Sequence, residues 1–154
     1  MSAHTATVEW LRGDQPFTDK RYRRAHVWRF DGGAVVPASS APAAVPPPLS
    51  DPAGVDPEEA LVAAVSSCQM LWFLAFAAGA GLVVDRYLDE PAGEIDRDPA
   101  GRRWLARIAL RPTTTFSGRQ PDPAELEALH RGAHDHCEMA HSVRAEITIE
   151  ARLG

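Results

Sequence analysis

Apolar and polar residues alternate in several short stretches of the chain, and this period of two predicts β-strands. Residues 143–150 alternate most strictly. Further strands are predicted at residues 8–11, 26–30, 82–88 and 104–110. Asp31-Gly32-Gly33 supplies a turn between two strands, because aspartate and glycine tolerate the backbone angles of tight turns.

Residues 37–57 interrupt this pattern with seven of the thirteen prolines, three of them in a row at positions 46–48. Proline lacks a backbone N–H and fixes its own φ angle, so neither a helix nor a central strand forms at this density. We therefore expect an ordered or semi-rigid surface loop over these residues.

A long helix is predicted directly after the loop. Asp56 is suited to be its N-cap, Pro57 occupies the first helical position, and Glu59 lies three residues after the cap, as in a capping box. Gly79-Ala80-Gly81 is expected to end the helix, because glycine readily adopts the conformation that follows a helix C-terminus.

The chain carries no charged residue from position 60 to position 84, a run that includes most of this helix and is long enough to cross a membrane. The polar residues Ser66-Ser67-Cys68-Gln69 in its middle and the lack of a flanking cationic cluster argue against that interpretation. The run also lacks the polar stripe of a surface helix. Because a 154-residue monomer can hardly surround a helix, we predict burial in a large core or a homodimer interface.

The predicted elements follow the order strands, long helix, strands, second helix and final strand. The second helix begins at Asp122-Pro123-Ala124-Glu125, which repeats the capping pattern of the first, and extends to about His136. This order indicates an α+β fold and not a doubly wound one. At this length we expect a single domain over residues 1–154.

Composition excludes several classes of protein. The chain is 45% apolar and 24% charged, which is typical of globular and not of disordered proteins. Its net charge of −5 argues against nucleic acid or anionic membrane as a partner, since both attract a basic surface. Two cysteines cannot build a disulfide scaffold and the N-terminus lacks a signal-peptide pattern, so we expect a cytoplasmic location.

Cys68 and Cys137 are the main candidates for chemistry. They are 69 residues apart, so neither a CxxC redox motif nor a zinc-ribbon spacing is present, and each is also compatible with a small buried core residue. A reactive thiol must ionise near neutral pH, which burial opposes and a nearby cation favours. Residues 20–24, four of which are basic, and Arg29 offer such cations.

Four histidines between residues 130 and 141 raise the alternative of a metal site. His130 and His134 share one helix face and Cys137 follows closely, and both imidazole and thiolate are good zinc ligands. No spacing here matches a recognised zinc signature, and exposed histidines are common near helix C-termini. We therefore predict neither a metal site nor a cofactor.

Two cysteine motifs together resemble those of the OsmC/Ohr family. In residues 56–68 the pair Pro57-Glu58 opens the helix ten residues ahead of Cys68, which is similar to the first motif of that family. Residues 129–143 contain Ala133-His134 followed by Cys137 and are similar to the second motif, Ala-His-x-x-Cys. The similarity spans essentially the whole chain.

This resemblance implies a thiol-dependent peroxidase that reduces organic hydroperoxides, built as an intertwined homodimer with antiparallel strands packed on the central helix. Cys68 would be the peroxidatic cysteine and Cys137 the resolving one. Their disulfide would be reduced by an external dithiol, for example a lipoyl-type dithiol. An arginine oriented by Glu58 would keep Cys68 ionised. Arg29 is our first candidate for that arginine and Arg24 the alternative.

Ten residues of helix rise by about 15 Å, so Glu58 cannot touch Cys68 of its own helix. It must act from the partner chain or through a long arginine. Three residues depart from the family pattern, namely Gln69, Glu138 and His141. The carboxylate of Glu138 is expected to raise the pKa of the Cys137 thiol and to slow resolution.

The resemblance leaves a second function open. The apolar residues 70–73 that follow Cys68 suit an alkyl or lipid-like peroxide. The same surroundings also suit a protein without enzymatic activity that binds an apolar ligand or senses redox state, in which the cysteines are vestigial or regulatory.

Overall fold

The computed structural model describes residues 2–154 and divides the chain into two compact units between Ala60 and Leu61. The first unit contains an antiparallel sheet in the order β1–β2–β3. Its strands are β1 (Ala6–Glu9), β2 (His26–Phe30) and β3 (Val35–Ala38). The strands predicted at residues 8–11 and 26–30 are confirmed, the first of them shifted by two residues. The predicted turn connects β2 to β3, with Gly33 at a φ of +87° that favours glycine.

The proline-rich segment after β3 is a loop, as predicted, and its two ends are tied together. Ser39 N–H donates to the Val55 carbonyl over 3.0 Å, and Val55 N–H donates to the Pro37 carbonyl over 2.9 Å. The Ser39 hydroxyl accepts from Asp51 N–H at 2.9 Å. Pro37 itself belongs to β3, which tolerates proline because it is an edge strand.

The long helix α1 spans Pro57–Gly79 and begins with the predicted capping box. The Asp56 side chain accepts from Glu59 N–H at 2.8 Å, and the Glu59 side chain accepts from Asp56 N–H at 2.9 Å. The helix ends at Gly79, and Gly81 has a φ of +74°. The sequence thus predicted both ends of α1 correctly.

The second unit holds the rest of α1, six strands and two further helices in residues 61–154. Its elements are β4 (Val83–Leu88), β5 (Ala92–Arg97), β6 (Arg103–Leu110), β7 (Thr113–Ser117), α2 (Pro123–His136), α3 (Glu138–Ser142), β8 (Glu146–Ile149) and β9 (Arg152–Leu153). The strands form two sheets, β4–β7–β9 and β5–β6–β8. The α+β class is confirmed.

Several expectations need correction. The strands are not all antiparallel, because β8 pairs parallel with β6 and β9 pairs parallel with β7. We did not predict β5, β7, β9 or α3. Every residue of β5 is exposed, so no apolar alternation marks it. The C-terminal strand is shorter than predicted, since α3 extends to Ser142 and β8 begins only at Glu146.

Within the chain, α1 buries one face and leaves the other open. The buried face packs on two apolar clusters of the second unit and consists of Val62, Val65, Ser66, Gln69, Phe73 and Ala77. On the open face Leu71 is 61% exposed. Burial on all sides is therefore wrong for the single chain, and burial in a homodimer interface stays a prediction. By length and composition α1 is also long and apolar enough to cross a membrane. Buried core helices of soluble proteins meet the same criterion.

Candidate functional site

The two cysteines lie at positions that the helices fix. Cys68 is in the middle of α1 and is partly buried, whereas Cys137 is fully buried in the junction between α2 and α3. Cys137 ends α2 and caps α3, because its sulfur accepts the Ala140 N–H at 3.3 Å. The start of α2 is set by Asp122, whose side chain accepts Glu125 N–H at 2.8 Å.

The fold brings the two thiols together, although they are 69 residues apart in the sequence. The Cys68 sulfur lies 3.6 Å from the carboxylate of Glu138, the residue that directly follows Cys137, so the two cysteines belong to one cluster. Burial, and after it the nearby Cys68, raise the pKa of Cys137 well above its ordinary value. Cys137 is thus a protonated thiol at neutral pH, in the same cluster as Cys68.

A carboxylate completes this cluster. One oxygen of Glu138, Oε2, accepts from the Cys68 thiol at 3.6 Å and from the Trp72 indole N–H at 3.2 Å. Its own backbone N–H, the indole and the Cys68 thiol lower the pKa of Glu138, with a smaller contribution from the charge of His136. Glu138 is therefore ionised at neutral pH.

The sequence does not predict the contact between Glu138 and Cys68, because it shows Glu138 only as the neighbour of Cys137. The spacing of residues along α1 does contain a signal for an acceptor shared by Cys68 and Trp72. Trp72 lies one turn after Cys68 on the same face of α1, so one acceptor reaches both side chains.

Aromatic rings flank this cluster. The Trp72 ring stacks on Phe76 with centroids 5.8 Å apart and lies 5.2 Å from the His136 ring. His136 also approaches Phe76 edge-on at 5.2 Å. The surroundings of Glu138 are therefore largely apolar on the Trp72 side, which favours contact with an organic molecule over water.

The first unit contains a cavity of about 490 Å³ that unites two of the candidate site residues. Its wall includes Trp10, Phe17 and Tyr22, whose rings contact one another, together with Arg24 and Glu58. The guanidinium of Arg24 lies 4.0 Å above the centre of the Tyr22 ring. The cavity thus combines an aromatic lining with one cation and one carboxylate.

Backbone contacts hold Arg24 in this wall. Its guanidinium donates to the carbonyls of Tyr22 and of Lys20, the latter at 3.1 Å. The His26 ring nitrogen Nδ1 lies 2.7 Å from the Arg24 carbonyl, while Nε2 accepts from the Trp28 indole at 3.0 Å. Nδ1 therefore carries the proton and donates to the carbonyl. The sequence does not predict this contact of His26 with the Arg24 carbonyl.

Arg29, our first candidate for the activating arginine, lies elsewhere. It is on β2 and pairs with Glu9 of the neighbouring strand β1 at 3.2 Å, with both side chains almost half exposed. It is not part of the cavity wall that contains Glu58. The structure therefore groups Glu58 with the alternative candidate, Arg24.

The late histidines do not assemble a metal centre. Among residues 2–154, no group of three or more His, Cys, Asp and Glu side chains is placed to hold a metal ion. His130 is 3% exposed and stacks on Phe73 with ring centroids 4.2 Å apart. Neither of its ring nitrogens has a hydrogen-bond partner within the described chain. His130 is thus a core residue.

The burial of His130 predicts an acid-sensitive fold. Burial lowers the pKa of His130 from 6.5 to about 4, so the unfolded chain binds this proton at a higher pH than the folded one. The free energy of unfolding therefore keeps its full value above pH 6.5, where His130 is neutral in both states. It decreases as the pH falls from 6.5 towards 4, because only the unfolded chain then binds the proton. Between pH 7.5 and 5 we expect His130 to cost about 2 kcal/mol of unfolding free energy.

Urea unfolding at both pH values measures this cost. The variant His130→Phe keeps an aromatic ring on Phe73. Between pH 7.5 and pH 5 its free energy of unfolding should decrease by about 2 kcal/mol less than that of the wild type. The exposed residue His141 provides the control, since His141→Gln should keep the wild-type dependence. Equal pH dependence in His130→Phe and the wild type would contradict the assignment.

Known proteins share both the sequence pattern and the fold. The sequence model described as OsmC-like protein matches residues 50–152. The chain is 46% identical to an OsmC-like protein of unknown function from Vibrio cholerae, with 98% of this chain and 99% of that chain covered and a TM-score of 0.95. No curated protein matches the chain significantly.

More distant structures share the fold alone. An organic hydroperoxide resistance protein OsmC from Legionella pneumophila has 12% identity and a TM-score of 0.65, with 100% of this chain and 98% of that chain covered. The organic hydroperoxide resistance protein OhrB of Bacillus subtilis has 16% identity and a TM-score of 0.63, with 99% and 98% covered.

Proposed function

Because the chain belongs to the OsmC-like protein family, we propose that it is a thiol-dependent peroxidase that reduces organic hydroperoxides in oxidative-stress defence. The main support is that the fold brings together two thiols from distant parts of the second unit, since the Cys68 sulfur lies 3.6 Å from Glu138, the residue next to Cys137. The fold shared with proteins of organic hydroperoxide resistance agrees with this function.

The proposed reaction uses the two cysteines in turn. The Cys68 sulfur attacks the terminal oxygen of the hydroperoxide, the O–O bond breaks, and an alcohol leaves while Cys68 becomes a sulfenic acid. The Cys137 sulfur then displaces that hydroxyl as water and forms a disulfide. An external dithiol, such as a lipoyl-type one, reduces the disulfide by exchange and is itself oxidised. Such a cycle requires a reducing compartment, which is the cytoplasm.

The arginine that stabilises the Cys68 thiolate belongs, in this proposal, to the partner chain of a homodimer. Glu58 lies too far along α1 to touch Cys68 of its own helix. Glu58 shares a cavity wall with Arg24, so Arg24 is the arginine that the geometry favours. The open face of α1, on which Leu71 is 61% exposed, is the surface that dimerisation would cover.

Titration of free thiols tests the proposed function directly. Two free thiols per reduced chain should fall to none after one equivalent of cumene hydroperoxide, because one peroxide oxidises one pair of cysteines. A mass-mapped disulfide between Cys68 and Cys137 should accompany the loss. A count that stays at two, or reaction at Cys137 alone, would contradict the peroxidase function.

The cavity of the first unit favours a second candidate function, the binding of an apolar ligand without catalysis. Its three contacting aromatic rings and its volume of about 490 Å³ suit a small aromatic or alkyl molecule. Saturable binding of such a ligand, seen as quenching of tryptophan fluorescence, without any peroxide consumption would support this function over the first.

A further inference from the structure

A negative charge lies beside the sulfur that reacts in the proposed cycle. Oε2 of Glu138 is 3.6 Å from the Cys68 sulfur, and the Trp72 indole N–H holds the same oxygen at 3.2 Å. A thiol donates a hydrogen bond to this oxygen, whereas a thiolate has no proton to donate and faces the carboxylate as a second anion. Any further anion that approaches the sulfur therefore meets the charge of Glu138 as well.

This charge is not paired within the described chain. Among residues 2–154, the ion pairs of arginine side chains involve other carboxylates, and His136 directs its Nδ1 to the Gly132 carbonyl at 2.9 Å. The hydrogen bonds to Glu138 lower its pKa, so the carboxylate is ionised at neutral pH. The side chain is also exposed, and a molecule that reaches Cys68 passes close to it.

The arginine of the proposed function does not remove this charge. In the proposed dimer that arginine is Arg24, which shares a cavity wall with Glu58, and the charges of these two side chains cancel each other. The guanidinium stabilises the Cys68 thiolate, while Glu138 remains as an additional anion. The site with an ionised Cys68 is therefore negative as a whole, which disfavours an anionic substrate but not a neutral one.

We propose that Glu138 determines the substrate specificity at Cys68, favouring uncharged organic hydroperoxides over those that carry an anionic group close to the peroxide. This inference rests on the peroxidase function proposed above and leaves its chemistry unchanged. The Cys68 thiolate bonds to the terminal oxygen, which keeps its hydrogen, the O–O bond breaks, and the alkoxide takes a proton from water. Cys68 is oxidised to the sulfenic acid and the hydroperoxide is reduced to the alcohol. An anionic group within about 8 Å of Glu138 is repelled, since this is the screening length at physiological ionic strength.

Alkylation of Cys68 measures the effect of charge without any peroxide. Iodoacetamide and iodoacetate both alkylate a thiolate and release iodide, but only iodoacetate is an anion. The experiment uses a Cys137→Ser background, in which Cys68 is the sole thiol and the serine hydroxyl can still cap α3. In this background, Glu138→Gln should lower the ratio of the iodoacetamide rate to the iodoacetate rate about 5-fold, the effect of one like charge at about 4 Å in water. Because both reagents attack the same thiolate, the ratio does not depend on how much of Cys68 is ionised.

Two hydroperoxides that differ by one charge test the substrate class itself. Cumene hydroperoxide is neutral, and its para-carboxylate derivative carries an anion on the same ring. In the same background, Glu138→Gln should lower the ratio of the neutral to the anionic rate about 3-fold, less than for alkylation because this carboxylate lies farther from the peroxide. Quenched-flow trapping of the Cys68 sulfenic acid with dimedone, read by mass spectrometry, gives both rates. At about 1 M salt both effects should shrink, since the screening length falls to about 3 Å.

Two variants serve as controls. Glu138→Asp keeps the charge on a shorter side chain and should keep both ratios close to those of the Cys137→Ser protein. Glu146→Gln removes an equal charge from an exposed position of β8 and should leave both ratios unchanged. Circular dichroism should show the same fold for all variants.

The remaining outcomes overturn the inference. Ratios that stay unchanged in Glu138→Gln, that change equally in Glu146→Gln, or that change without any dependence on salt would mean that the charge of Glu138 does not select the substrate. If the Cys137→Ser protein with Glu138 intact forms no sulfenic acid with either hydroperoxide, the peroxidase function itself is wrong and the inference fails with it. Formation of sulfenic acid with unchanged ratios in Glu138→Gln overturns the inference alone.

Discussion

Replacement of Cys68 by serine is expected to lower peroxide consumption at least about 1,000-fold, to the rate without protein, because a hydroxyl is far less nucleophilic than a thiolate. Cys68 is the partly exposed member of the pair and therefore the one a peroxide can reach. Consumption of cumene hydroperoxide in the presence of dihydrolipoamide measures the effect.

Cys137→Ser is the matched control for this prediction. Cys137 is fully buried and has a raised pKa, so in the proposed cycle it acts only after Cys68 has been oxidised. The variant should complete one turnover at the wild-type rate and stop as the sulfenic acid, or continue slowly if the dithiol attacks that acid directly. Turnover that survives in Cys68→Ser, or a first turnover lost in Cys137→Ser, would reverse or refute the assigned roles.

Arg24→Met is expected to slow the reaction of Cys68 with cumene hydroperoxide about 100-fold, since it removes the cation that we propose favours the thiolate. Arg29→Met removes the same charge from a residue that pairs with Glu9 on the open sheet, and should stay within about 3-fold. The two variants share their chemistry and differ only in position. A larger loss for Arg29→Met would restore Arg29 as the activating residue.

Mixing of subunits tests whether Arg24 acts across a homodimer. A mixture of Arg24→Met and Cys68→Ser chains forms heterodimers in which one site combines an intact Cys68 with an intact Arg24. After random exchange such a mixture should regain about a quarter of the wild-type activity, because half of the dimers carry one working site of two. No recovery despite exchange, shown by native mass spectrometry, would mean that Arg24 serves its own chain.

The helices were the most predictable part of the fold. The ends of α1 and α2 follow from local chemistry, since Asp56 and Asp122 cap the helices three residues ahead of Glu59 and Glu125. The strands β5 and β7 were not predictable in the same way. Strand β5 is exposed on every residue, and its pairing with β6 leaves no periodic signal in the sequence.

The sequence by itself determined the α+β order of elements, the capped helices and the two cysteines on elements typical of one family. These features depend on neighbouring residues or on short motifs, so the linear pattern contains them. Only the tertiary structure decided that Glu138 contacts Cys68 and that Arg24, not Arg29, shares a wall with Glu58. Both arrangements bring together residues more than 30 positions apart, and their geometry depends on how α3 packs beside α1 and how residues 20–24 fold back in the first unit.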